Sequence, residues 1–452
     1  MYIFTGYYRG IPKSKKGIDY RIKLTKNIEN ELSDEAFRIG CRNNGHNGVS
    51  RNRLLPLDKI IFLVLNFKST VQRELDGFFK AVDGDDFTIR KVTKSAFTQA
   101  RAKVNPWAFK RLNKVASNTF YENVDFEKWH GHKVLAVDGS TLHLPNHKSV
   151  IDEFGVHGFG PKADAQSSLA RISLLYDVLN QITLDAEIDK FETGEIDLLK
   201  NHISSINKGD LLLLDRGYPC FWLLFLLKAK GIDFCVRLKD NWWKEVNQFV
   251  KEDQDEKIAY FSLPKKDKDK LADYPEFMDK ELGLRLIKIK LSTGQTEILC
   301  TSLTDTKKYV HEEFKELYSL RWTEEEAYKL LKSRAKLEDF SGKTALAVKQ
   351  DFFAKVFMLT MVASYCHPVQ QRVQKEINEE KNNKFDQKIN KSFAWTSLGN
   401  LLIPLFIKKI VKKSIKAFDN IVYATREIIK PNRSNPRNHK PKKKYNMVYK
   451  PI

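Results

Sequence analysis

The chain has 452 residues, enough for two or three domains with an ample core, and its 42% hydrophobic and 12% aromatic fractions fit a soluble globular protein. Against 57 Asp and Glu stand 78 Lys and Arg, a formal charge of +21 that calls for a polyanionic partner, most commonly nucleic acid. Five scattered cysteines (Cys41, Cys220, Cys235, Cys300, Cys366) form no C-x-x-C pair, which argues against structural zinc or a disulfide framework and suits a reducing cytoplasm. The apolar runs at 220–227 and 356–366 are too short to span a bilayer, and no export signal opens the chain, so no membrane partner is expected.

Residues 1–55 are polar and carry no clear pattern. From Pro56 the apolar positions Leu57, Ile60, Ile61, Val64, Leu65 and then Val71, Leu75, Phe78, Phe79 recur at helical spacing. Ser95 and Asn105-Pro106 read as helix starts. They open two short helices, one with Arg101 and Lys103, the other with Lys110, Arg111 and Lys114. Small helices exposing basic residues suit a helix-turn-helix-like DNA module, and equally any small helical bundle.

The texture changes at Lys133. K-V-L-A-V-D-G-S-T-L-H-L (133–144) predicts a buried strand that delivers Asp138 at its end. Residues 171–178 and 182–188 read as an antiparallel pair across Leu179-Asn180-Gln181. Thr193-Gly194-Glu195 reads as the cap of a helix reaching about Ile206. Residues 210–215 predict a second buried strand ending in Asp215, followed by Arg216-Gly217-Tyr218, then a helix at 221–230 and a strand at 234–239. That order points to an α/β fold with a mixed sheet. From about 240 to 305 the pattern is strand-rich and irregular, with K-K-D-K-D-K at 265–270, and reads as an insertion. Helix resumes near Val310, and another amphipathic helix covers 345–366. The last 52 residues hold 14 Lys or Arg against two acids; 431–451 has none and four prolines, which predicts a mobile basic tail.

Y-S-L-R-W-T-E-E-E-A-Y-K-L-L-K (318–332) is the most informative segment. On a helix at 100° per residue with Tyr318 at zero, Arg321 falls at about 300°, Glu325 at about 340° and Lys332 at about 320°. Leu317, Leu320, Ala327 and Leu331 fall between about 180° and 260°, the packing face; Glu324 at about 240° and Glu326 at about 80° leave the active arc by phase. The plainer alternative is a surface helix with ordinary charges. Asp138, Asp215 and Glu325, converging at one end of an α/β sheet, would form an oxygen-donor site for two Mg²⁺ or Mn²⁺ ions. Arg321 offers a planar fork for phosphate, Lys332 a point charge and Tyr318 a hydroxyl donor.

Tyr318, Arg321, Glu325 and Lys332 match the Y-x2-R-x3-E-x6-K signature in all four positions. With D-G-S-T (138–141), D-R-G-Y (215–218), F-C-V-R-L-K (234–239), F-S-G-K-T (340–344) and the basic tail at 432–445, the chain resembles the DDE transposases of bacterial insertion sequences, in the group named for insertion sequence four. The resemblance spans roughly residues 35–450. It implies an RNase H-like catalytic core, a mixed sheet flanked by helices, with a β-rich insertion, a helical N-terminal DNA-binding domain and a basic C-terminal region. The corresponding expected boundaries are 1–125 for the helical end-binding domain, 126–240 and 306–370 for the two parts of the core, 241–305 for the insertion and 371–452 for the basic region.

The resemblance also implies that Asp138, Asp215 and Glu325 are the catalytic metal ligands for two Mg²⁺ or Mn²⁺ ions. Tyr318, Arg321, Lys332 and Arg216 would contact DNA. Trp322 would pack on a base or equally serve as a core tryptophan, and Trp242 and Trp243 are candidates to hold a flipped base. The implied partners are double-stranded DNA, as terminal inverted repeats and target, and a second copy when two ends are bound. The implied setting is the bacterial cytoplasm at the nucleoid. A DNA-binding repressor without catalysis is the alternative from a different class; it would not need the complete set of acids.

Overall fold

The computed structural model describes residues 19–43, 54–159, 165–239, 243–291, 294–379 and 386–429. Its centre is one eight-stranded mixed sheet. The strands are β1 (Val134–His143), β2 (Leu169–Asp177), β3 (Ile182–Lys190), β4 (Leu211–Leu214), β5 (Asp233–Leu238), β6 (Glu256–Ser262), β7 (Glu281–Lys290) and β8 (Thr296–Thr301). They lie side by side as β3-β2-β1-β4-β5-β8-β7-β6. β1, β2 and β3 pair antiparallel, while β4 and β5 run parallel to β1. That is the order and polarity of an RNase H-like core.

Side-chain alternation splits the core into two layers. Val134 and Ala136 of β1 face one hydrophobic cluster, Leu135 and Val137 the other. The all-leucine β4 is buried along its length, as befits a central parallel strand covered on both faces. The strands of the 241–305 insertion form no separate sheet. β8 pairs antiparallel with β5 and leads outward to β7 and β6, so the insertion extends the core sheet. The helix Lys244–Lys251 and a 3-10 segment at Lys265–Leu271, which holds the K-K-D-K-D-K run, complete it.

The first cluster also joins the N-terminal helices to the C-terminal ones. Tyr20–Ser33, Leu57–Leu65, Val71–Asp83, Lys94–Arg101 and Trp107–Asn123 share it with Ala345–Glu379, Lys391–Leu402 and Val411–Ala424. Two helices, Tyr20–Ser33 and Glu35–Gly40, occupy a stretch the sequence pattern left unassigned. Lys94–Arg101 is capped by Thr93, whose hydroxyl accepts from the Ala96 N–H, so the start lies two residues before Ser95. The helix expected at 345–366 runs on to Glu379 through Pro368. Its stretch Ala345–Ile377 is long and apolar enough to cross a membrane by length and composition, beyond the short run read from sequence, but 83% of its apolar window is buried inside the protein. All five cysteines are free. The basic tail at 431–451 lies outside the described residues.

Three of the basic residues named on these N-terminal helices make contacts within the protein. Arg101 is buried: its Nε donates to Gln350 Oε1 at 2.5 Å, its Nη2 to Ala347 O at 3.0 Å and to Asp351 Oδ1 at 2.8 Å, and its Nη1 to Ser341 Oγ. Lys110 pairs with Glu187 at 2.7 Å and Arg111 with Glu31 at 2.5 Å. Lys103 and Lys114 remain exposed. Three of the five cations are thus spent on internal contacts, a pairing with residues 31, 187 and 341–351 that helical phase could not show.

Candidate active site

β4 ends at Leu214, opposite Val137 of β1, and Asp215 follows it directly. β1 continues past this point to His143, so Asp138 sits within a strand rather than at its end. What ends there is its neighbour. The two aspartates therefore lie where the parallel pair stops, at the carboxyl edge of the central strands. Beside them runs Glu313–Ser319, a break at Leu320 and Arg321, the helix Trp322–Lys329 and a π-helical turn at Leu330–Arg334. The expected single helix is thus three segments.

The packing face holds as expected, with Leu317, Leu320, Ala327 and Leu331 all buried. Arg321 lies 3% exposed, with Nη1 at 3.4 Å from Asp138 Oδ2 and Nη2 at 3.5 Å from Glu325 Oε1. One guanidinium thus stands between two of the three acids. Tyr318 is buried, its hydroxyl 3.3 Å from Leu214 O and 3.5 Å from Asp215 Oδ1. Lys332 donates to Thr141 O of β1. Arg216 is exposed beside Asp215, and Trp322 is 47% exposed with the Arg321 guanidinium 5.0 Å from its ring centroid. Tyr318, Arg321 and Lys332 therefore point into protein contacts, where the helical wheel had them facing outward. Trp243 is a core residue, stacked on Phe221 at 4.4 Å, and Trp242 lies outside the described residues.

The two aspartates have opposed electrostatics. Burial, reinforced by Glu195 and Glu325, pushes the Asp138 carboxyl up to about 6, despite a 2.8 Å hydrogen bond from the Gly139 N–H and the nearby Arg321. Burial would raise Asp215 too, but the Arg216 N–H and the Arg237 and Arg321 guanidiniums outweigh it and hold the group below its ordinary value. Arg237, on β5, is the closest cation: its Nη2 lies 2.8 Å from Asp215 Oδ1, and its Nη1 2.5 Å from Glu297 on β8. Burial tends to lower the Arg321 guanidinium, yet Tyr318, Asp215, Asp138 and Glu325 together raise it.

Two residues escaped the sequence reading. Arg237 lay inside the quoted F-C-V-R-L-K block, and only strand pairing puts it against Asp215. Glu195, read as a helix cap, lies over both aspartate turns. A Cβ at Gly139 would come within 2.8 Å of its Oε1, and one at Gly217 within 3.3 Å of its Oε2. The glycines of D-G-S-T and D-R-G-Y thus make room for a carboxylate that Arg171 holds at 3.1 Å.

Asp138, Asp215 and Glu325 are partly exposed carboxylates, the hard oxygen donors that Mg²⁺ and Mn²⁺ prefer. Among the described residues no three His, Cys, Asp or Glu side chains come close enough together to hold an ion as they stand. The chemistry of the donor set fits a divalent cation.

Residues 129–361, just over half of the chain, match the family described as the transposase DDE domain. The chain belongs to that family. Two curated relatives come from Escherichia coli (strain K12). InsZ, named as a transposase, is 25% identical over 187 residues, 40% of this chain and 60% of that protein. The transposase InsG for insertion sequence element IS4 is 22% identical over 325 residues, 69% of this chain and 70% of that protein. Among solved structures, the cryo-EM structure of the piggyBac transposase synaptic complex with hairpin DNA aligns with a TM-score of 0.41 and 11% identity, over 94% of this chain and 86% of that one.

Proposed function

We propose that the chain is an insertion-sequence transposase that cleaves DNA at terminal inverted repeats and joins the freed 3′-hydroxyls to target DNA. The observation that carries the reading is the segmented helical stretch from Glu313 to Arg334, which reaches both aspartates. Arg321 links Asp138 to Glu325, and Tyr318 meets Asp215, within a domain of the matched family. Asp138, Asp215 and Glu325 would hold two Mg²⁺ or Mn²⁺ ions. Bound, those ions would supply a lowered pKa for the attacking water or hydroxyl and charge stabilisation for the leaving oxygen.

The chain's own residues bind and orient. Arg321 and Lys332 would exchange their present contacts with Asp138, Glu325 and Thr141 O for phosphate oxygens of the cleaved strand. Tyr318, held against Leu214 O and Asp215, supports the second aspartate and can turn its hydroxyl to the same phosphate. Exposed Arg216 and Trp322 extend the contact surface, Trp322 by stacking on a base or sugar. The helical region before residue 125 would grip the terminal repeat, the C-terminal region would add charge, and a homodimer would hold two ends. A cytoplasmic, nucleoid-associated setting belongs to the same reading.

The test is incubation of purified protein with a labelled element end and Mg²⁺. Asp138→Ala, Asp215→Ala or Glu325→Ala should abolish strand cleavage and leave end binding largely intact. Cleavage retained by any of the three would sink the assignment. Strand-transfer products on a supercoiled target separate a transposase from a nuclease that only cuts.

A further inference from the structure

Glu324 is the acid that helical phase sends to the packed face, and it is fully buried there. Its Oε1 accepts the Asp138 N–H at 3.0 Å, and its Oε2 is buried with no partner. Four residues on, the Tyr328 hydroxyl donates to the Asp138 carbonyl at 2.8 Å. Another four on, Lys332 donates to Thr141 O. Positions four apart share a helix face, so these side chains form one stripe laid along β1. A strand residue's N–H and C=O point to the same side; Lys133 O accepts the Leu211 N–H and Val134 O the Val178 N–H, so Asp138, four residues after Val134, turns its N–H and C=O toward β2, opposite Leu174. Glu324 and Tyr328 contact that same donor and acceptor, and each would cost about 1–3 kcal/mol if buried and left unmet.

We propose that Glu324, together with Tyr328, is a positioning residue that grips the Asp138 backbone N–H and C=O from the helix and so fixes where that carboxylate points. The inference rests on Asp138 being a metal ligand, as proposed above. A carboxylate buried in an apolar helix face is expensive to keep, and leucine would pack there at lower cost. What leucine lacks is an acceptor for the Asp138 N–H. Without it the helix loses its grip on the Asp138 backbone, and a site that must be kept within about 0.5 Å loosens.

The experiment measures Mn²⁺ affinity of the full chain by electron paramagnetic resonance, cleavage of a labelled end at saturating Mn²⁺, and thermal melting. Glu324→Leu should stay folded, bind Mn²⁺ about ten-fold or more weakly and cleave correspondingly slowly, in the range typical of groups that orient metal ligands. Glu324→Gln keeps the acceptor and should stay within about three-fold of the parent in both readouts. Parent-like Mn²⁺ affinity in Glu324→Leu, or Glu324→Gln as damaged as Glu324→Leu, overturns the proposal. If Glu324→Leu does not fold, Tyr328→Phe decides, since it removes only the hydroxyl; weakened Mn²⁺ binding supports positioning and unchanged binding overturns it. Asp138→Ala is the control. Should that variant bind Mn²⁺ like the parent, the metal-site reading itself falls and takes this inference with it; should it lose Mn²⁺ while Glu324→Leu and Tyr328→Phe do not, this inference alone fails.

Discussion

Replacing Arg101 with methionine separates two accounts of the N-terminal helices. In the structure Arg101 is buried and spends its guanidinium on Asp351, Gln350, Ser341 and Ala347 O, tying the helix Lys94–Arg101 to the long helix Ala345–Glu379. Removing one partner of a buried pair costs about 3–5 kcal/mol, because the remaining charge stays buried. Asp351 keeps the Ser341 N–H at 2.6 Å and the Ser341 hydroxyl at 2.7 Å, so the lower end, about 3 kcal/mol, is expected for Arg101→Met. Adding Asp351→Asn removes the stranded charge and should recover about 2 kcal/mol, a coupling of the size seen for contacting residues. Unfolding of the three variants gives the cycle, and binding of an element end against salt gives the second readout. A loss below about 1 kcal/mol in Arg101→Met refutes the buried-pair account. A salt slope reduced by about one counterion with unchanged stability would instead return Arg101 to the DNA surface.

The two described tryptophans in question should behave oppositely. Trp243→Ala should cost roughly 3–5 kcal/mol in melting, as a stacked core residue, whereas Trp322→Ala should cost under about 1 kcal/mol and slow end cleavage. Parent-like cleavage by Trp322→Ala removes its proposed role. Gly139→Ala brings a Cβ within 2.8 Å of Glu195 Oε1, the far end of a partly exposed side chain that can swing aside, so it should change stability by under about 1 kcal/mol; a melting loss above about 2 kcal/mol would refute that accommodation. His367 packs against Tyr20 and Phe120, and burial, with Arg21 nearby, lowers its pKa to about 4 from 6.5. The unfolded chain then binds more protons between those values, so stability should fall as pH drops from about 6.5 to 4, by on the order of 2 kcal/mol. His367→Phe should flatten that part of the stability profile, and an unchanged slope would exclude His367 as its source.

Much of the site was legible in sequence because it depends on short-range order. D-G-S-T, D-R-G-Y and the spacing of Tyr318, Arg321, Glu325 and Lys332 are local patterns, and so is the buried run L-L-L-L before Asp215. Helical phase alone placed Leu317, Leu320, Ala327 and Leu331 on the packed face, and it put Glu324 there too. What phase could not supply is the partner. Glu324 has one because its helix lies against β1 where Asp138 turns its N–H toward β2, which is a fact about two strands and a helix far apart in sequence.

The same division holds across the molecule. From its own residues the chain determined an α/β core with a mixed sheet, the acids carried by it and a strongly basic balance, since these follow from period, composition and motif. Only the tertiary structure decided that the insertion's strands extend the core sheet through β8 and that Trp243 belongs to the core. It also decided which cations are spent inside: Arg101 on Asp351, Arg237 on Asp215, Arg321 between Asp138 and Glu325. A charge has the same letter whether it meets water, phosphate or a carboxylate 250 residues away, and only packing assigns its counterpart.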